Sequence, residues 1–236
     1  MRGTASPPGW RRYFVYRTDR LKTTWLCRLA ILAVVAIIVV GTAGLWVRPL
    51  ARSLMCPEDV SRSDAILVEN FDPTYVVFER AAALQRAGFA PLVFAPTEAS
   101  REDPAVAAAV PLGITQFMAN FARVANLRVI PTRDIEPISL NAAYQIRDVL
   151  VRERLTSVIV VAPAFRSKRS LLIYRSVLGP AGIRVHCAPT IGTNTPENWT
   201  RTWHGIQEVT EQFVKLQYYR FSVLPRSRIP VARSVT

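Results

Sequence analysis

Histidine and cysteine are scarce in this sequence, which has two histidines and three cysteines among 236 residues. So few of these side chains exclude a Cys/His zinc module and a scaffold held by many disulfides. The glycine patterns of a P-loop and of a dinucleotide-binding turn are absent too. Neither histidine directly follows a predicted strand, so a Ser-His-Asp triad has no evident base. The sequence therefore predicts no cofactor and no metal site.

One stretch lacks charge altogether: Leu29 to Val47 is nineteen residues without a charged side chain. Its length predicts a transmembrane helix. Residues 1–28 carry seven Lys and Arg against one acid, which predicts a cytoplasmic arm next to membrane lipid, with the rest of the chain across the membrane. No nucleic-acid partner is expected. A cleaved signal peptide fits the same pattern, but the long basic region and the poor cleavage site favour a retained anchor.

Beyond this stretch, apolar runs alternate with helical patterns over residues 64–222. Strands separated by helices require crossovers, so the sequence predicts an α/β fold with a Rossmann-like, doubly wound, mainly parallel sheet. We interpret residues 48–63 as a polar linker and residues 223–236 as a basic disordered tail. Residues 97–111 are expected to form a loop or short helix. We interpret Cys56 and Cys187 as buried thiols, although they would be able to pair in an oxidising compartment.

In parallel sheets, ligands bind beyond the carboxyl ends of the strands. The candidate residues all follow predicted strands: Glu69, Asn70, Glu136, Ser139, Asn141, Arg166 and Arg169. Ser139 is expected to cap a helix, with the Asn141 amide facing the crevice. Arg166 and Arg169 lie at the start of the helix predicted after the fourth strand. A positive charge there interacts unfavourably with the helix macrodipole and costs roughly 0.3–1 kcal/mol for each arginine. A phosphate or carboxylate ligand would compensate them, and so would internal acids such as Glu69, Asp134 or Glu136.

The order of these patterns resembles the YdcF-like family of bacterial envelope proteins (ElyC, SanA and YdcF). The matching segments are Asp64–Val68, Arg80–Gly88, Glu136 with Ser139 and Asn141, Arg169, and the terminal segment Trp199–Tyr219. The resemblance implies a Rossmann-like domain, often tethered to the inner membrane, with a role in the cell envelope. The chain departs from the family where Glu69-Asn70-Phe71 replaces a glycine cluster and where Arg166 replaces a histidine. It also lacks the threonine and glutamate that follow the Ser-x-Asn motif in the family.

These observations predict a single-pass inner-membrane protein whose periplasmic domain binds an anionic, phosphorylated or glycosylated envelope metabolite. Arg166 and Arg169 would neutralise the ligand, and Asn70, Ser139 and Asn141 would orient it. A hydrolase or transferase using Glu136 or Glu69 as the base is the first alternative. A non-catalytic scaffold that recruits envelope partners through the last helix is the second. The oligomeric state is left open.

Overall fold

The computed structural model describes residues 25–71, 74–99 and 106–227. The helices are α1 (Trp25–Gly41), α2 (Ala43–Ser53), α3 (Tyr75–Arg86), α4 (Val106–Phe121), α5 (Ile138–Arg152), α6 (Ala164–Leu178), α7 (Trp203–Tyr218) and α8 (Leu224–Ser227). The strands are β1 (Ala65–Val68), β2 (Leu92–Ala99), β3 (Leu127–Arg133), β4 (Ser157–Pro163) and β5 (Arg184–Thr190). Most of the predicted basic arm and the tail from residue 228 onward lie outside the described residues.

The chain divides into two compact units, with the boundary between Gly44 and Leu45. The first unit contains the apolar helix α1. Among the described helices, none is by itself long and apolar enough to cross a membrane. Helices α1 and α2 meet that requirement only when taken together, and they are separated by a bend.

The second unit is built on a five-stranded sheet with the order β3-β2-β1-β4-β5, in which every pairing is parallel. This confirms the predicted α/β class and its parallel sheet. Strand β1 lies at the centre, and all four of its side chains are buried. Its uninterrupted apolar run follows from this position, because helices cover both faces of the sheet.

The two faces of the sheet carry different helices. Alternate side chains of β1 point to opposite faces: Ile66 and Val68 join a cluster with α3 and α4, whereas Ala65 and Leu67 join a cluster with α5 and α6. This arrangement is the doubly wound one. A third cluster packs α2 and α7 against the start of α6 through Ala51, Leu54, Phe165, Trp199, Val209 and Leu216.

Three segments differ from the boundaries that the sequence predicts for them. Residues 48–63 are not simply a linker, because α2 runs to Ser53 and Ala51 and Leu54 are fully buried. The tail does not begin at residue 223, since Val223 and Leu224 are buried and α8 follows. Residues 97–111 contain the end of β2 and the start of α4, while residues 100–105 lie outside the described part. In the first two cases a few apolar side chains within a polar stretch anchor it to the core.

The interpretation of Cys56 and Cys187 as separate thiols is also wrong, because they form a disulfide with a Cα–Cα distance of 6.5 Å. Both residues are buried, as expected. The segment after α2 runs beside β5, where Asp59 and Cys187 exchange two backbone hydrogen bonds of 2.9 and 3.1 Å. This pairing brings the two cysteines within bonding range, and no local sequence pattern indicates it.

Candidate functional site

A cavity of about 440 Å³ lies beyond the carboxyl ends of β1, β3 and β4. Its walls come from the residues after those strands, from the carboxyl-terminal half of α7 and from the residue that follows α7. They are Phe71, Glu136, Pro137, Ile138, Ser139, Arg166, Arg169, Glu211, Lys215, Tyr218 and Tyr219. The cavity therefore gathers four of the seven predicted site residues at the edge of the sheet where the sequence placed them.

Two positive charges of the cavity come from α6, whose first two turns carry Arg166 and Arg169. Arg169 is only 6% exposed, and its Nε has no hydrogen-bond partner within the described ranges. Its guanidinium lies over the ring of Tyr219, 5.7 Å from the ring centroid, a cation–π contact. Burial lowers the pKa of Arg169, and the nearby Glu69 carboxylate opposes that shift. Arginine remains charged in this setting.

A third cation comes from α7, where Lys215 donates a hydrogen bond to Glu211 one turn earlier. This bond is the main reason that the pKa of Glu211 lies below its usual value, and the positive charges of Lys215, Arg166 and Arg169 lower it further, while desolvation acts in the opposite direction. Glu211 and Glu136 are the carboxylates of the lining. The lining therefore contains three cationic side chains and two carboxylates.

Glu69 does not line this cavity. It is 2% exposed, and its Oε2 accepts a hydrogen bond of 2.6 Å from the hydroxyl of Ser170. Its charge acts on the buried guanidinium of Arg169, although the two side chains form no ion pair within 4.0 Å in the described part of the chain. The structure thus places Glu69 behind the cavity lining as a counter-charge to Arg169, and its role as a base stays a prediction.

The side chains of the two asparagines form internal hydrogen bonds and do not line the cavity. Asn70 Nδ2 donates to Thr115 Oγ1 at 2.7 Å and to the Pro96 carbonyl at 3.3 Å. Asn141 Nδ2 donates to the carbonyl oxygens of Ile135 at 3.1 Å and of Pro137 at 3.4 Å. Each amide ties a loop to the helix or strand beside it, and neither lines this cavity; that these amides orient a ligand stays a prediction.

Ser139 lines the cavity but does not cap α5. The N-cap position is Pro137, whose backbone is extended, and the helix begins at Ile138. Proline presets its own φ and lacks an N–H, and with Pro137 as the cap the helix starts two residues earlier than with a cap at Ser139. Glu136 directly precedes the cap residue Pro137 and lines the cavity together with Ser139.

Sequence reasoning missed the part of the site that α7 and the residue after it supply: Glu211, Lys215 and Tyr218 of α7, and Tyr219. The i,i+4 spacing of Glu211 and Lys215 is visible in the sequence and indicates a helical ion pair. It does not show which strand ends this helix covers. That placement depends on Val209 and Leu216 packing against α2 and α6.

Two other groupings of polar side chains in the described structure are a smaller cavity and a cluster around His186. A second cavity of about 250 Å³ at the starts of α3 and α6 is lined by Glu208 and has no cationic side chain in its lining.

Near the amino-terminal end of β5, His186 lies 3.2 Å from Asp59. The Oγ of Ser61 lies 2.8 Å from Nε2 and 3.1 Å from Nδ1 of the His186 ring. An oxygen almost equidistant from both nitrogens is not aligned with either lone pair, so Ser61 is not placed as an activated nucleophile. Over the described ranges, no group of His, Cys, Asp and Glu is arranged to hold a metal ion.

Comparisons with known proteins found little similarity. No family model matches the chain, and no curated protein matches it. A solved structure described as the reductase domain of the aureusimine biosynthetic cluster shares 12% identity over 51% of this chain and 40% of that domain, with a TM-score of 0.23. Less than half of that domain is matched, and no conclusion about function follows from it.

Proposed function

We propose that the domain binds a small anionic ligand, a phosphorylated or glycosylated metabolite of the cell envelope, in the 440 Å³ cavity. The observation that carries this proposal is the buried guanidinium of Arg169, whose Nε lacks a partner in the described structure and which lines the cavity. A buried charge is stable only when it is paired or hydrogen-bonded. Glu69 compensates part of that charge from behind, and an anion in the cavity would complete the compensation from the front.

The other walls favour a ligand with an anionic group joined to a flat or sugar-like body. Arg166 and Lys215 add two donors for phosphate oxygens. Phe71, Tyr218 and Tyr219 supply aromatic surface beside them, which suits the apolar face of a sugar or a ring. The cavity is also within the usual volume range of small-molecule sites.

The proposed location is the periplasmic side of the inner membrane, with the basic arm in the cytoplasm and the apolar stretch Leu29–Val47 as a single anchor. The disulfide between Cys56 and Cys187 supports this orientation, because such bonds persist in oxidising compartments and are rare in the cytosol. The resemblance to the YdcF-like family agrees with it. Membrane lipid is then a partner of the chain, and nucleic acid is not.

A hydrolase or transferase is the second candidate, favoured by Glu136, which lines the cavity together with Arg166. A carboxylate beside a bound phosphorylated ligand is positioned to act as a general base. Under this alternative Glu136→Gln abolishes turnover and leaves ligand affinity nearly unchanged. Binding without turnover in the unchanged protein would exclude it.

Calorimetric titration of the full chain in mild detergent with inorganic pyrophosphate tests the binding proposal. We expect Lys215→Gln to weaken binding about tenfold, which corresponds to about 1.4 kcal/mol. Lys168→Gln is the matched control, because Lys168 is exposed on α6 and does not line the cavity. Equal weakening of binding by both variants would show that the effect comes from the change in net charge alone. The absence of binding in the unchanged chain would refute the proposal.

A further inference from the structure

Helix α7 has two apolar sides, and only one of them is buried. Gly205, Val209, Gln212 and Leu216 face the domain. The opposite side exposes large apolar residues, with exposed fractions of 72% for Trp203, 60% for Val214 and 71% for Phe221 in the turn after the helix. Ile206, Phe213 and Tyr218 are exposed beside them. A water-facing helix surface normally carries charged and polar side chains instead.

The charged residues of α7 are confined to one flank. Glu211 and Lys215 line the 440 Å³ cavity, and Glu208 lines the 250 Å³ cavity. By helical periodicity, the exposed positions between Trp203 and Phe221 on the outer side are Gln207, Thr210 and Val214, which carry no charge. We call this side, residues 203, 206, 207, 210, 214 and 221, the outer face of α7.

We infer that the outer face of α7 lies on the membrane surface, with its apolar side chains in the interfacial region. Uncharged helix faces with Trp and Phe occupy this region of a bilayer. The basic residues at the two ends, Arg201, Arg220 and Arg226, are exposed and complement the negative charge of anionic lipid. The inference rests on the membrane anchorage proposed above and not on the anion site.

The connection between α7 and α2 supports this occupant. Trp199 Nε1, just before α7, donates a hydrogen bond of 3.1 Å to the carbonyl of Val47 in α2. Val47 is also the last residue of the apolar stretch that we propose as the anchor. Ala51 of α2 and Leu54, which directly follows α2, then pack with Val209 and Leu216 of α7. Within the second unit, the residue that ends the proposed anchor is therefore bonded to the segment just before α7.

A second copy of the chain fits the outer face less well. A helix face of this length is about 27 Å long and about 10 Å wide, or roughly 270 Å², whereas a stable interface buries about 800 Å² on each partner.

With the outer face on the membrane, the charged flank with Lys215 and Glu211 lies at the level of the lipid headgroups. The cavity would then open toward an anionic group carried on a lipid.

Nitroxide labels on the full chain, reconstituted in vesicles of phosphatidylcholine and phosphatidylglycerol, test the inference. A Cys27→Ser background removes the cysteine outside the disulfide, and labels are placed by Gln207→Cys, Thr210→Cys or Val214→Cys. Val151→Cys on α5 is the control, because Val151 is an exposed apolar residue on another helix. We expect the ratio of collision rates with oxygen and with a water-soluble nickel chelate to be several-fold higher at the three α7 positions than at position 151.

The outcomes separate this inference from the proposed anchorage. A chain that floats with the vesicles but shows water-like ratios at all four positions overturns the inference alone. Spin–spin broadening at position 214 that disappears on dilution with unlabelled chain indicates a second copy on the face and overturns it too. A chain that does not float with vesicles overturns both the inference and the anchorage.

Discussion

Replacing Glu69 with glutamine tests whether this carboxylate is a counter-charge for Arg169 or a catalytic base. Glu69→Gln keeps the shape of the side chain, and its amide oxygen can still accept the hydrogen bond from Ser170. The substitution removes one negative charge from behind the cavity. We expect anion affinity to rise while the stability of the unliganded protein falls, a pair of opposite effects that a catalytic role alone does not produce.

The magnitude follows from Coulomb's law. Two unit charges about 8 Å apart at an effective dielectric constant of about 20 interact by roughly 2 kcal/mol. Counter-ions and water reduce the repulsion felt by a bound anion to about 1 kcal/mol, so pyrophosphate should bind about fivefold more tightly. The free energy of unfolding should fall by about 1–2 kcal/mol, because the buried Arg169 loses part of its compensation.

Calorimetric titration with pyrophosphate and chemical denaturation of the full chain in mild detergent measure the two effects. Glu79→Gln is the control for the change in net charge, because Glu79 is exposed on α3 and does not line the cavity. Unchanged affinity together with unchanged stability in Glu69→Gln would refute the counter-charge role. Weaker binding would show that Glu69 supports the ligand rather than opposes it.

Three other substitutions test the fold. Cys187→Ala, which removes the disulfide to Cys56, should lower the free energy of unfolding by up to roughly 5 kcal/mol for a closed loop of this length, and a reductant should have no further effect on the variant. The pKa of Asp64 is lowered chiefly by the backbone N–H of Thr156. The stability that the Asp64 carboxylate contributes is therefore complete above about pH 3.9 and is lost as the pH falls through the lowered pKa. Asp64→Asn should destabilise the protein at pH 7, and the difference in stability between the variant and the unchanged protein should vanish at strongly acidic pH. Gly205→Ala should cost about 1–3 kcal/mol in denaturation experiments, because a Cβ there overlaps a backbone carbonyl of the preceding turn.

The parts of the fold that the sequence predicts correctly are those set by local patterns. The strand Ala65–Val68 is an apolar run because both faces of the sheet are covered, and that pattern is visible without a structure. Glu136 and Arg166 were placed by the rule that ligands lie beyond strand ends, and both line the cavity. These predictions needed only the alternation of strands and helices.

The failures depend on contacts between residues far apart in sequence. Asn70 and Asn141 follow strands as expected, but their amides bond to neighbouring loops and side chains that the sequence does not place beside them. Lys215 reaches the cavity because α7 packs on α2 and α6, which no periodicity indicates. Glu69 follows β1 directly and is nevertheless buried. Its carboxylate accepts a hydrogen bond from the hydroxyl of Ser170, which lies on α6.

The most direct test of the central claim is anomalous diffraction from crystals of the full chain soaked in tungstate, a dense analogue of phosphate. We predict a tungsten peak in the cavity within hydrogen-bond distance of Arg166, Arg169 and Lys215. A soaked crystal with no tungsten in the cavity, and with the Arg169 guanidinium paired to a protein carboxylate instead, would contradict the claim.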